Sequence, residues 1–222
     1  MYALMKLSDG LAGIVTWIGR IAAWLAVPLM LIIAVDITMR KLIEFYPDLI
    51  DSFMFREIGS TKLQEMEWHL HAVLFLLCLG YAYIKNAHVR VEVVREKINP
   101  RLRAWFELFG AIVFVVPYCY VVVAYGFDFA ERAFMLNERS SALTGLPMRW
   151  IIKGMLPLGF VVLGLAALSV ALRNFIYLFG PPELRQEAGT FVEHSDIEEL
   201  VHEAEEELEE YERQHRRQSQ GS

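Results

Sequence analysis

The sequence predicts an all-α integral membrane protein with four transmembrane helices, and three observations carry that reading. Of 222 residues, 55% are hydrophobic and 22% charged, with a mean hydropathy of +0.35. A soluble domain averages about 45–50% apolar, so the excess is modest as an average and decisive once located. It sits in four blocks, separated by highly charged chain, and each block approaches the ~20 apolar residues that a helix needs to cross a bilayer. The third observation is charge asymmetry. Thirteen of the 27 acids follow Arg173, so the net charge of −6 belongs to a tail and the region before it is net basic. This distribution excludes a soluble globular enzyme. No basic stripe interleaved with exposed aromatics supports nucleic-acid binding.

The first span runs from about Trp17 to Met39 and is uncharged from Ile21 to Val35. Twenty residues precede its apolar core and no A-x-A-like site follows Val35, which favours an uncleaved helix over a signal peptide. The second span, about Trp68 to Ile84, carries His69 and His71 in its first turn. The third, Leu108 to Phe127, has no charge, and the fourth runs from about Trp150 to Leu172. Pro28, Pro117 and Pro157 fall inside spans, where neighbouring groups can satisfy the freed carbonyls.

Orientation follows from the Lys and Arg of the connections. Asp36 to Glu67 holds four basic and seven acidic residues, Lys85 to Glu107 six against three, and Asp128 to Lys153 four against three. The second connection is therefore expected in the cytoplasm, which places both termini there. Residues 1–180 form the membrane domain, with spans at about 17–39, 68–84, 108–127 and 150–172, and residues 181–222 a polar cytoplasmic tail. The apolar clusters within Lys41–Met66 suggest a structured or interfacial external segment. Asn86 to Arg103 mixes Val and Ile with basic residues, as expected of a segment lying along the inner membrane surface. Gly180-Pro181-Pro182 should stop the fourth helix. Ser195-Asp196-Ile197-Glu198 reads as a capping box opening a short acidic helix with Ile197, Leu200, Ala204, Leu208 and Tyr211 at helical spacing.

The residues offer little catalytic chemistry. His69 and His71 are two apart on a helix and point to different faces, a poor arrangement for a bis-imidazole haem. The zinc-protease spacing, a phosphate-binding glycine loop and a nucleophile with an embedded base are all missing. No catalytic residue, cofactor site or metal site is expected. Cys78 and Cys119 lie inside apolar blocks and read as buried packers. Asp36 and Arg40 are spaced for an i, i+4 ion pair, while Glu67 and Lys153 each begin a span and could either pair across helices or each reach water. Gly19, Ala22, Ala23 and Ala26 make one small-residue stripe, and Gly159, Gly164, Ala167 and Ala171 offer further points of close approach. The spans lack the broken helices and mid-membrane polar groups that mark a carrier. These residues describe a membrane subunit that packs against something else.

An ordered series of motifs then stands out. Glu67-Trp68-His69-Leu70 opens the second span, His88-Val89-Arg90-Val91-Glu92-Val93 follows it, and Pro100-Arg101 and Ala104-Trp105 precede the third. Glu138-Arg139-Ser140-Ser141 comes next, and Gly145-Leu146-Pro147-Met148-Arg149-Trp150-Ile151-Ile152-Lys153 leads into Leu156-Pro157-Leu158-Gly159. Over roughly Gln64 to Leu172 this series resembles the small membrane subunit (Q, DctQ-like) of tripartite ATP-independent periplasmic (TRAP) transporters. The resemblance implies a scaffold beside a large membrane subunit (M), which carries the sodium and substrate sites. It also implies docking of a periplasmic binding protein (P) that delivers an organic acid, in the cytoplasmic membrane of a bacterium or archaeon. Glu67, Trp68, His88, Arg90, Glu138, Arg139, Pro147, Arg149, Trp150, Lys153 and Pro157 are then expected at partner interfaces or in shaping them. Other readings of a four-helix subunit are the anchor of a redox complex, holding quinone or haem, and a stand-alone membrane scaffold.

Overall fold

The computed structural model describes residues 1–52, 59–87, 98–142, 144–185 and 187–189. Among them every regular element is helical: α1 (Tyr2–Ala23), α2 (Ala26–Phe45), a 3-10 turn (Pro47–Asp51), α3 (Ser60–Ile84), α4 (Pro100–Gly110), a π-turn (Ala111–Val115), α5 (Val116–Met135) and α6 (Arg149–Phe179). Because α1 runs into α2, and α4 through the π-turn into α5, the described residues form four rods long and apolar enough to cross a membrane. It is an all-α integral membrane protein.

Each rod outruns its apolar block. α6 has 31 residues, about 46 Å at the helical rise, against a hydrocarbon core of about 30 Å. Helical hydrogen bonding continues into the polar flanks, where side chains reach water while the backbone remains satisfied. At Pro100 the reason is local. The Asn99 side chain accepts the Arg101 N–H at 3.1 Å, and Pro100 sits in the first turn, where its missing N–H costs nothing. Pro100 to Arg103 thus opens the third rod rather than lying along the membrane surface.

The prolines mark the irregularities. The α1–α2 junction falls at Trp24 and Leu25, one turn before Pro28, whose ring crowds the carbonyl four residues back at Trp24. Tight bonds replace the lost one: Leu25 N–H donates to the Ala22 carbonyl at 2.9 Å and Val27 N–H to Trp24 at 3.2 Å. Pro117 lies two residues beyond the end of the π-turn, the wider winding that absorbs an interrupted ladder. Pro157 lies fully buried within α6.

α6 is the central rod and packs against α1, α3, α4 and α5, while α2 packs on α3. Small residues set these approaches. A Cβ on Gly159 would stand 2.7 Å from Leu76 Cβ and 2.9 Å from the Leu76 carbonyl oxygen, and one on Gly80 2.9 Å from the Val162 carbonyl oxygen. A Cβ on Gly126 would stand 3.1 Å from the Pro157 ring, and one on Gly19 would collide with Tyr81. Gly19 and Ala22 of the expected stripe do pack inward, whereas Ala23 is exposed. On α1 the buried positions Met5, Ser8, Ala12, Val15, Gly19 and Ala22 alternate spacings of three and four, the repeat that keeps one helix face against its neighbours. Cys119 is buried and Cys78 partly so, both as free thiols.

At the end where α1 begins and α6 stops, polar groups tie the rods. Ser8 and Ser169 are fully buried and exchange hydroxyl-to-carbonyl bonds, Ser8 Oγ to Ser169 O at 3.0 Å and Ser169 Oγ to Ser8 O at 2.9 Å. Arg173 reaches Asp9 at 2.7 Å. Beyond Gly180, Leu184 and Ala188 fold back onto Met5 and Ile176. The expected acidic helix beginning at Ser195 lies outside the described residues, as do the Phe53–Phe55 cluster and the segment from His88 to Lys97.

Candidate functional site

The richest polar constellation lies at the opposite end, where α5 ends, α6 begins and α3 starts. The connection between α5 and α6 is short of regular structure but closely hydrogen-bonded. Glu138 N–H donates to the Ala133 carbonyl at 2.9 Å and Arg149 N–H to the Glu138 carbonyl at 3.2 Å, while Ser140 N–H reaches the Leu146 carbonyl at 3.3 Å. Asn137 and Met148 bracket it in left-handed backbone, with φ of 45° and 61°. For a bulky residue such as Met148 this is a sparsely populated conformation. It turns the chain directly into α6, with Pro147 just before the Met148 cap.

Beneath the connection sits Glu65 of α3, 8% exposed. Its Oε1 accepts from the Ser140 hydroxyl, and its Oε2 accepts the Leu146 N–H at 2.5 Å. Arg149 stands 3.8 Å from Oε1, and the His69 ring donates through Nδ1 to the Glu65 carbonyl. A buried carboxylate is costly unless its lone pairs are engaged; these partners engage both oxygens. Gly145 completes the fit, since a Cβ there would lie 2.7 Å from Glu65 Oε1 and strike Ser140.

Charged and aromatic side chains surround this core. The Arg149 guanidinium lies 5.5 Å from the Trp68 ring centre, and the Lys153 ammonium 3.9 Å from that of Phe129. Lys153 pairs with Glu138 of the α5–α6 connection rather than across helices with Glu67, one of the two outcomes the sequence left open. Trp150 meets Phe134 edge-to-face at 5.4 Å. On α2, Asp36 is 3% exposed and pairs with Arg40 at 2.6 Å, as its spacing implied, while also accepting the Ser60 hydroxyl at 2.7 Å.

The expected interface residues therefore divide. Trp68, Glu138, Arg149, Trp150 and Lys153 converge at this end. Arg139 and Pro147 are exposed on the connection. Glu67 stands on α3 with Oε1 buried and without a hydrogen-bond partner among the described residues. Pro157 is remote, packed on Gly126. His88 and Arg90 lie outside the described residues. Glu65 was not among the expected residues, and its role could not be read from local sequence, since its partners stand 75 and 81 positions away. Among the described residues no group of three His, Cys, Asp or Glu is placed to hold a metal ion.

Comparison with known proteins adds one finding. Residues 29–176 match the family model described as tripartite ATP-independent periplasmic transporters, DctQ component. No curated protein and no solved structure matches the chain.

Proposed function

The chain belongs to the DctQ-component family of tripartite ATP-independent periplasmic transporters, and from that premise we propose that it is the fixed scaffold subunit of a sodium-gradient-driven importer of an organic acid. The large membrane subunit holds the sodium and the substrate, and this chain packs beside it in the cytoplasmic membrane with both termini inside. The connection between α5 and α6 then faces the periplasm and contributes to docking the binding protein. Exposed Glu131, Arg132 and Arg139 border that connection; charges at an interface rim act chiefly on encounter rate and salt dependence.

The observation that carries the scaffold reading is how little the first three rods bury one another. Within the apolar window of each, 17% of residues are buried inside the chain, against 44% for α6. The third rod turns Phe114, Tyr120 and Tyr125 outward, and a tyrosine hydroxyl within a bilayer is better served by a protein neighbour than by lipid tails. Among the described residues the buried polar groups lie toward the rod ends and leave no polar path along the centres.

Reconstitution tests the assignment. Liposomes holding this chain alone should show sodium-driven organic-acid uptake no higher than empty liposomes. Uptake should require the large subunit and the binding protein. Transport by this chain by itself would overturn the scaffold reading.

A further inference from the structure

We infer that Glu65 is the positioning residue of the docking surface: it latches the connection between α5 and α6 onto α3 in the shape that receives the binding protein. The inference rests on the docking role proposed above and adds a residue that neither the motif series nor the exposed charges indicate.

The geometry is specific. One carboxylate, 8% exposed, satisfies a side-chain hydroxyl and a backbone N–H from opposite limbs of the same connection, Ser140 before its tip and Leu146 after it. Within the connection, Ser140 Oγ also accepts the Ala142 N–H at 3.1 Å, and Gly145 N–H donates to the Ala142 carbonyl at 3.1 Å. The two limbs are thus joined to each other and, through Glu65, to a rod of the bundle. Arg149, the first residue of α6, supplies the opposing charge at 3.8 Å. Without the carboxylate, the Ser140 hydroxyl and Leu146 N–H lose their acceptor beneath the connection, and both would turn toward water. An interface whose backbone is already held binds without the ordering cost that a loose segment incurs. The absence of a side chain on Gly145 is the steric half of the same device, because a Cβ there meets both the Ser140 side chain and Glu65 Oε1.

The test uses the assembled small-subunit and large-subunit complex in nanodiscs, with the cognate binding protein. Four variants are compared with the parent: Glu65→Ala, Glu65→Gln, Gly145→Ala and Arg139→Glu. Co-purification with the large subunit reports assembly. Amide hydrogen exchange over residues 138–149 reports the latch, and titration with binding protein reports docking. Glu65→Ala should speed exchange at Leu146 about tenfold or more. It should raise the half-saturating binding-protein concentration to a similar degree, with the maximal bound signal unchanged. Gly145→Ala should do the same without altering any charge. Glu65→Gln, which keeps one carbonyl acceptor, should recover part of both effects. Arg139→Glu should shift the titration while leaving exchange at the parental rate.

If Arg139→Glu shifts the titration and neither Glu65→Ala nor Gly145→Ala does, docking stands and the latch is overturned. Faster exchange with an unchanged titration also overturns it, reducing Glu65 to a local packing group. If no variant shifts the titration, the docking reading fails and takes the latch with it.

Discussion

Two glycines of α6, Gly159 and Gly154, provide a test of the packing in which the same substitution should act in opposite directions. An alanine at 159 would place its Cβ 2.7 Å from Leu76 Cβ and 2.9 Å from the Leu76 carbonyl oxygen. Carbon pairs sit comfortably at about 3.5–4.0 Å, so α3 and α6 would have to part by about 1 Å or tilt. Overpacking of this kind costs about 1–3 kcal/mol, and the better helix propensity of Ala over Gly offsets about 0.5–1 kcal/mol. Gly159→Ala should therefore destabilise by up to about 2.5 kcal/mol. At Gly154 nothing stands within 4 Å, so Gly154→Ala keeps only the propensity gain. Unfolding of both variants in mixed micelles should separate them by roughly 1–3 kcal/mol. Trimming Leu76 to Ala should not rescue Gly159→Ala, because the clashing Cβ and carbonyl oxygen both remain. Equal stability of Gly159→Ala and Gly154→Ala, or rescue by Leu76→Ala, would refute a backbone-level contact between α3 and α6.

Two further outcomes follow from other parts of the molecule. Ser8→Ala should cost about 1 kcal/mol by removing a buried donor to the Ser169 carbonyl, and Ser8→Ala with Ser169→Ala should cost less than the sum of the two; strict additivity in micelle unfolding would show the two hydroxyls to be independent. Impermeant thiol labelling of single cysteines, in a background without Cys78 and Cys119, should modify position 50 and spare position 90 in intact cells, and the reverse pattern would invert the proposed orientation.

What could be read from the sequence was whatever physical chemistry writes locally. Four apolar blocks announced four rods, and the spacing of Asp36 and Arg40 announced their ion pair. The rods' true lengths escaped notice because hydropathy marks where a helix is greasy, and the polar flanks such as Pro100–Arg103 are helical for reasons of capping. Pro28 read as a kink that a span tolerates, and the irregularity falls at Trp24–Leu25, on the carbonyl that the ring crowds. The Glu65 constellation left no local trace. In the Asp36–Glu67 connection Glu65 is one acid among seven, and only the folded chain shows which of them lies under Ser140 and Leu146. The partner of Lys153 stayed open in the sequence for the converse reason: spacing along the chain cannot reveal that Glu138 is the carboxylate it meets.

The central position of α6 also bears on how the protein is made. The third rod packs chiefly on α6, yet the ribosome releases it first. From Met135 to the end of α6 the chain needs a few more seconds at roughly 5–20 residues per second. During that interval α1, α2 and α3 can already settle on one another, while the third rod waits in the bilayer with Gly126 and Cys119 facing lipid. The last rod to arrive joins the two halves. A nascent chain stalled before Arg149 would therefore hold a preassembled half and an orphan, a natural substrate for membrane quality control.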